Sequence, residues 1–417
     1  MRKKLLNINN WLIAIFSPVS FFILLLVIIL KPILTIRIGH LLTYRFGHSI
    51  KDLEMYLSEK KLNIASNKKY LDLFFLSYNP ANKYIQKTCK KYLRVLPVPI
   101  LFSAFKIIET VSKKNNFFKK HHIEMRNYDY DLNNSFDKIN CQLNFSQSEI
   151  EEAENQLKQI GINPSDNLVC LCVRDENYAI KHLNHPKKFD SKARSYMDIR
   201  NSEIENYKLA STALVKLGYK VIRVGKDTGK KINFTDDKII DYSKSKIRND
   251  FLDVYLAYRC KFAFGDSAGW TQAPVVFRKH VALANWAPYS VIDFVGKNFY
   301  IFKHYYDTNL KRNLTIREIF ERKLHKLFLF DLKKNDIVLK DNNSEEILDL
   351  VLEVESRFKS KIESHENILN NIKFRDFLTK NKFFSREDNP NISPSLSVKK
   401  YTIESHVGEK YLKKYFI

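Results

Sequence analysis

A chain of 417 residues with ten glycines cannot be a collagen or a glycine-punctuated repeat, and 45% hydrophobic residues exclude a mainly disordered polypeptide. A formal charge of +24 suggests nucleic acid, yet lysines outnumber arginines 52 to 18, and arginine is the side chain suited to bidentate phosphate and base-edge contacts. The excess is also local, because residues 1–120 carry 21 Lys and Arg against 5 Asp and Glu.

Trp11 to Leu30 is an uncharged apolar run, with Arg2, Lys3 and Lys4 before it and Lys31 after it. Its length suits a hydrocarbon core, and no small-residue cleavage site follows. The expectation is an N-terminal hydrophobic membrane segment over residues 1–34, either a single span or a re-entrant segment broken near Pro18, rather than a buried core helix. Flanking basic residues would favour an anionic leaflet.

Beyond it, Ile33–Ile38 reads as a strand, Ile50–Leu57 as a helix and Tyr70–Ser77 as a second strand-like run. Lys83–Tyr92 fits a helix. Leu93–Val111 is apolar and broken by Pro97 and Pro99, which favours core over a second membrane-surface patch. Residues 112–150 read as a polar connection. Ser146 with Glu149 forms a capping box, and Gly161 is placed to stop the helix that follows.

The next stretch alternates strands and helices. Asn167–Val173 is of buried-strand type, Glu203–Leu217 is amphipathic and ends at Gly218, and Lys220–Val224 precedes Gly225. Strands at Lys238–Asp241, Lys261–Phe264 and His280–Ala284 follow, with a helix at Asp250–Tyr258 between the first two. Such alternation predicts a parallel, doubly wound sheet, whose ligands bind beyond the carboxyl ends of the strands. Residues 311–417 read as two or three helices and a polar tail.

No phosphate-binding P-loop, dinucleotide fingerprint or nucleophile elbow occurs, so polar groups at strand ends carry the chemistry. Arg174 follows the first buried strand and suits a pyrophosphate. Arg223 sits at the end of the next strand before Gly225, where a ligand contact and an internal ion pair are both open. Arg200 and Asn201 precede a helix start, a place for an anion or only a cap. Gly265-Asp266-Ser267-Ala268-Gly269 brings backbone amides close to a phosphate or sugar. In the first half, Arg37-Ile38-Gly39-His40 and Arg45-Phe46-Gly47-His48 repeat one arrangement eight residues apart. His48 there could act as acid or base. Five cysteines, an odd number, argue against a disulfide framework.

The ordered set resembles a family of bacterial glycosyltransferases associated with surface-polysaccharide gene clusters. It comprises Ile36-Arg37-Ile38-Gly39, Arg45-Phe46-Gly47-His48, Glu54-Met55-Tyr56-Leu57, Val173-Arg174-Asp175 with Tyr178, and Arg200-Asn201-Ser202 with Tyr207. Gly218 to Gly225, Ile240-Asp241-Tyr242 and Gly265 to Gly269 complete it. The resemblance covers roughly residues 36–295. It implies a GT-B-like α/β fold, two Rossmann-like domains facing across a cleft, with a nucleotide-sugar donor held mainly by the second.

The domains expected are residues 35–145 on the acceptor side, 146–310 for the nucleotide sugar, and a helical extension over 311–417. Arg174, Arg200, Asn201, Arg223, Gly225, Gly265, Ser267 and Gly269 would bind the donor. Arg37, Gly39, Arg45 and Gly47 would line the acceptor side, and His48 or Asp266 would assist the acceptor hydroxyl. Adjacent Asp236 and Asp237 do not make a metal-binding pair, so metal independence is expected, with the nucleotide sugar as co-substrate and no cofactor. The acceptor would be a glycan or lipid-linked molecule at a bacterial inner membrane, with the catalytic domains cytoplasmic. The alternative is a non-catalytic membrane-bound scaffold of an envelope assembly.

Overall fold

The computed structural model describes residues 18–416, except 63–69, 113, 126–130, 132, 183–196, 230, 290, 291, 293, 294, 328, 361–363 and 382–404. The chain divides into two compact units, Met1–Asp131 and Leu132–Ile417.

In the first unit, β1 (Thr35–Leu41), β2 (Tyr70–Leu76) and β3 (His122–Ile123) form a parallel sheet in the order β2-β1-β3. Cross-strand register sets Arg37 beside Asp72. Their side chains make a two-pronged ion pair at 2.6 and 2.7 Å, and the Tyr56 hydroxyl donates to the same carboxylate at 2.6 Å. The helix Phe46–Lys61 supplies Tyr56, and Lys83–Tyr92 begins on the Asn82 side chain, which accepts from the Ile85 amide. The apolar stretch with two prolines becomes the helix Val98–Ser112, whose Leu101, Ala104, Phe105 and Ile108 enter the core with Ile38 and Phe75. β3 and a short helix at Asn116–Lys119 lie in what the sequence suggested was only a connection.

The expected N-terminal membrane segment is overturned. Among the described residues, no helix is long and apolar enough to cross a membrane. Residues 18–30 are helical, but Ser20, Leu24 and Val27 are buried on one face. Leu24 belongs to the same core as Leu101 and Phe105, and the Ser20 hydroxyl donates to the Ile100 carbonyl at 3.1 Å. The apolar run is therefore partly the unit's own core: burial drives it, and here the protein does the burying. Trp11–Ser17 and the basic residues 2–4 lie outside the described residues.

The second unit is built on seven parallel strands. They are β4 (Leu168–Cys172), β5 (Lys220–Arg223), β6 (Ile239–Ile240), β7 (Phe262–Gly265), β8 (Val281–Trp286), β9 (Asn298–Phe302) and β13 (His406–Val407). Their order is β13-β9-β8-β7-β4-β5-β6. The chain starts at the centre with β4, moves outward to β6, then returns to the other side of β4 with β7, as in doubly wound α/β sheets. The point of reversal lies between β4 and β7. All five residues of β4 are buried, which explains its uninterrupted apolar sequence.

The preceding helix, Gln147–Lys158, starts with the expected capping box of Ser146 and Glu149. Gly161 and Gly218 follow their helices with φ of +77° and +90°, the left-handed stops the pattern suggested. The C-terminal residues are integral to this unit. β10 (His304–Asp307), β11 (Arg312–Asn313) and β12 (Ile337–Lys340) make a small antiparallel sheet. The helix Ser344–Ser360 packs on β8 and β9, and β13 extends the main sheet beside β9.

Candidate functional site

The strands meet at their carboxyl ends around Gly265. It is paired with Cys172 across β7 and β4 and has a φ of +150°. A Cβ there would run into the Cys172 carbonyl, so only glycine lets the two chains approach this closely. The Asp266 amide donates to that carbonyl at 3.2 Å, and the Asp266 carboxylate accepts the Arg174 amide at 2.9 Å. Asp266 thus ties together the two strand ends that flank the reversal point.

Around this knot sit the cationic residues. Arg200 donates from Nε to the Ser267 hydroxyl at 3.0 Å and from Nη2 to the Ser267 carbonyl. The Ser202 amide donates to the Arg174 carbonyl at 3.2 Å, which places residues 200–202 alongside Arg174. Loops after β4 and β5 are also joined, because the Asp175 carboxylate accepts the Asn177 and Gly229 amides at 2.9 and 2.7 Å. Arg174 and Arg200 are half-buried, while Asp266 and Ser267 are buried. The arrangement holds the Arg200 guanidinium against a glycine-bracketed loop, with the Arg174 charge acting on the Asp266 carboxyl, and that geometry suits a phosphate or diphosphate anion.

Burial pushes the Asp266 carboxyl from 3.8 up to about 6, with the Arg174 amide and then the Arg174 and Lys303 charges pulling it back. A carboxyl raised on folding contributes most stability below its unfolded value and loses it as pH rises through the folded one. Asp253, raised by burial to about 6, slopes the same way. Asp266→Asn is expected to remove part of the stability lost between pH 4 and 6, measured by urea unfolding at several pH values. An unchanged slope would show that Asp266 titrates as an ordinary carboxylate.

Of the expected donor-binding residues, Arg174, Arg200, Asn201, Gly265, Ser267 and Gly269 gather at this reversal point, Gly269 beginning the helical turn after the loop. Arg223 is 2% exposed and pairs with Asp241 at 3.1 Å. Of its two open readings, the internal ion pair is the one observed. Gly225, just after β5, has a φ of +143° with the Thr228 methyl beside it.

The first-unit candidates are placed differently. Arg37 is engaged by Asp72, and Gly39 lies flat against the Phe74 ring, where a Cβ would sit 2.7 Å from it. Arg45 is the cap residue of the helix Phe46–Lys61, and Gly47 and His48 are in its first turn. His40, the first histidine of the doubled motif, bonds the Ser77 hydroxyl at 2.9 Å and stacks on Phe75. Burial, then the charge of Lys106, lowers its pKa to about 4.

Lys303, Asp341 and Asn342 escaped the sequence reading. Lys303 is 6% exposed and donates to the Asn201 carbonyl and the Asp341 carboxylate, each at 2.6 Å. No spacing links these residues in the chain, so nothing local identifies them. Among the described residues, no group of three or more His, Cys, Asp or Glu is arranged to hold a metal ion.

No protein-family model matches the chain, and no curated protein matches it. Three solved structures show distant likeness. A Veillonella parvula protein of glycosyl transferase family 9 has a TM-score of 0.41 and 9% identity, covering 76% of this chain and 97% of its own. The Escherichia coli ADP-heptose lipopolysaccharide heptosyltransferase II has a TM-score of 0.34 and 10% identity, covering 64% and 90%. A Listeria monocytogenes protein described as a UDP-N-acetylglucosamine 2-epimerase has a TM-score of 0.29 and 8% identity, covering 79% and 97%. At such scores and identities these likenesses determine neither fold nor activity.

Proposed function

We propose that the chain is a glycosyltransferase whose second unit binds a nucleotide-sugar donor at the β4–β7 reversal point. The observation that carries this is the meeting of the Arg174 backbone amide and the Arg200 guanidinium on the buried Asp266–Ser267 loop, where the Arg174 charge is also felt. Sugar transfer releases a nucleoside diphosphate, and fixed cations stabilise the charge that develops on it. Three segments of the ordered set that resembles bacterial glycosyltransferases, Val173–Asp175, Arg200–Ser202 and Gly265–Gly269, fall on this same crevice. Asp266, fully buried and bonded to the Arg174 amide, orders the loop. The test is calorimetric titration of the full chain with UDP, ADP and GDP and their sugar conjugates, followed by assay for diphosphate release. Tight binding of one nucleotide, with release on adding a glycan or lipid-linked acceptor, is the expected result. A folded protein that binds none of them would sink the proposal.

Attachment to a membrane surface is part of the same proposal, without any crossing. The helix at residues 18–30 leaves Phe21, Phe22, Ile28 and Ile29 exposed opposite its buried face. At its end, the Lys31 ammonium lies over the Phe117 ring, beside exposed Lys119 and Lys120. An apolar face with basic residues beside it suits an anionic lipid interface. The full chain is expected to sediment with phosphatidylglycerol-containing vesicles, and Phe22→Glu with Ile29→Glu is expected to lower the bound fraction severalfold. Equal sedimentation of both proteins would count against surface attachment.

A further inference from the structure

We infer that Lys303 and Asp341 are positioning residues that set Arg200 in place for an anionic ligand. The inference rests on the anion-site reading and adds to it a control element from the C-terminal part of the chain. Lys303 directly follows β9, and Asp341 directly follows β12. The Lys303 ammonium donates to the Asn201 carbonyl and to Asp341 Oδ1, both at 2.6 Å, and Asp341 Oδ2 accepts the Glu203 amide at 3.0 Å. Lysine and carboxylate therefore grip the backbone on both sides of Ser202. A buried ammonium is costly unless it is paired and hydrogen-bonded. Here its partners are the segment next to Arg200 and the strap that follows β12.

The strap is itself anchored. Asn342 and Asn285 exchange backbone and side-chain hydrogen bonds at 2.6 and 2.7 Å, and the Asn342 side chain donates to the Phe302 carbonyl at 2.9 Å. The Asn285 side chain donates to the Tyr207 hydroxyl at 3.2 Å, reaching the turn after Glu203 from the other side. The ends of β8 and β9 and the residue after β12 thus converge on residues 201–207. Arg200, immediately before the gripped segment, reaches Ser267, and the Ser202 amide reaches Arg174. Loosening the grip frees the guanidinium, while the Lys303 ammonium itself is engaged by the Asn201 carbonyl and the Asp341 carboxylate.

The test uses the full chain and inorganic pyrophosphate as probe. Lys303→Met is expected to weaken pyrophosphate binding about tenfold or more, and Lys303→Arg to restore part of it. Combined with Arg200→Ala, Lys303→Met should add little to the loss, because both changes remove the same placed guanidinium. Losses that multiply in the double variant, or a melting change with unaltered affinity, would overturn the assignment. Hydrogen exchange at the Ser202 and Glu203 amides supplies a separate readout, with at least tenfold faster exchange expected in Lys303→Met. If the wild-type chain binds no pyrophosphate, the anion-site reading fails; faster exchange confined to residues 200–207 would still uphold the grip, and unchanged exchange would refute it.

Discussion

Replacing Arg174 by Ala is expected to weaken nucleoside diphosphate binding by roughly 10- to 100-fold, while the melting temperature changes little. A guanidinium can give a phosphate charge-assisted hydrogen bonds, and losing them on truncation costs about 1.5–3 kcal/mol in all. Arg174 secures the loop below it through its backbone amide, bonded to Asp266 at 2.9 Å. Alanine keeps that amide, so the frame survives the truncation. Arg174→Lys should recover only part of the affinity, since a point charge lacks the planar fork. Calorimetry with UDP, ADP and GDP, beside thermal unfolding of the same samples, separates the outcomes. Normal binding with a large fall in melting temperature would make the side chain a structural element.

The largest expected effect on stability lies one strand away. Asp241→Ala is expected to destabilise the second unit by about 3–5 kcal/mol, because it leaves the buried Arg223 charge without its carboxylate. The same carboxylate accepts the Ser243 hydroxyl at 2.5 Å and the Ile232 amide at 3.2 Å, so alanine also strands those donors. Replacing the pair together, Arg223→Met with Asp241→Leu, should return much of the loss, since the desolvation of both charges disappears with them. Urea unfolding curves of the single and double variants measure this. A double variant as unstable as Asp241→Ala would show that Arg223 contributes through packing rather than through its charge.

The elements that local patterns determine were legible. The capping box at Ser146 and Glu149, the glycine stops at 161 and 218, and the uninterrupted apolar strand at Leu168–Cys172 all depend on residues within a few positions of each other. The crevice residues Arg174, Arg200, Gly265 and Ser267 could be named for the same reason, since each lies within a few positions of a strand end or a helix start. What could not be read was how far an apolar run belongs to the protein itself. Trp11–Leu30 has the composition of a membrane segment, and only the packing of Leu24 against Leu101 and Phe105 shows that its described part has one face in the core. Hydrophobicity along a chain records a need for burial without saying what does the burying.

By itself, the sequence determined the alternation of strands and helices, the parallel sheet that alternation demands, and the polar residues at its strand ends. Tertiary structure decided the rest. Only the strand order β6-β5-β4-β7 puts the reversal point between Arg174 and Asp266, residues 92 positions apart in the chain. Only folding separates Arg223, neutralised by Asp241, from Arg174 and Arg200 in the crevice. It also carries Lys303 and Asp341 to the Asn201–Glu203 backbone, across 102 and 138 positions. Local propensities act over a turn or a strand. A buried charge takes its partner from whatever the fold brings within hydrogen-bonding distance, and that choice is invisible until the chain has closed on itself.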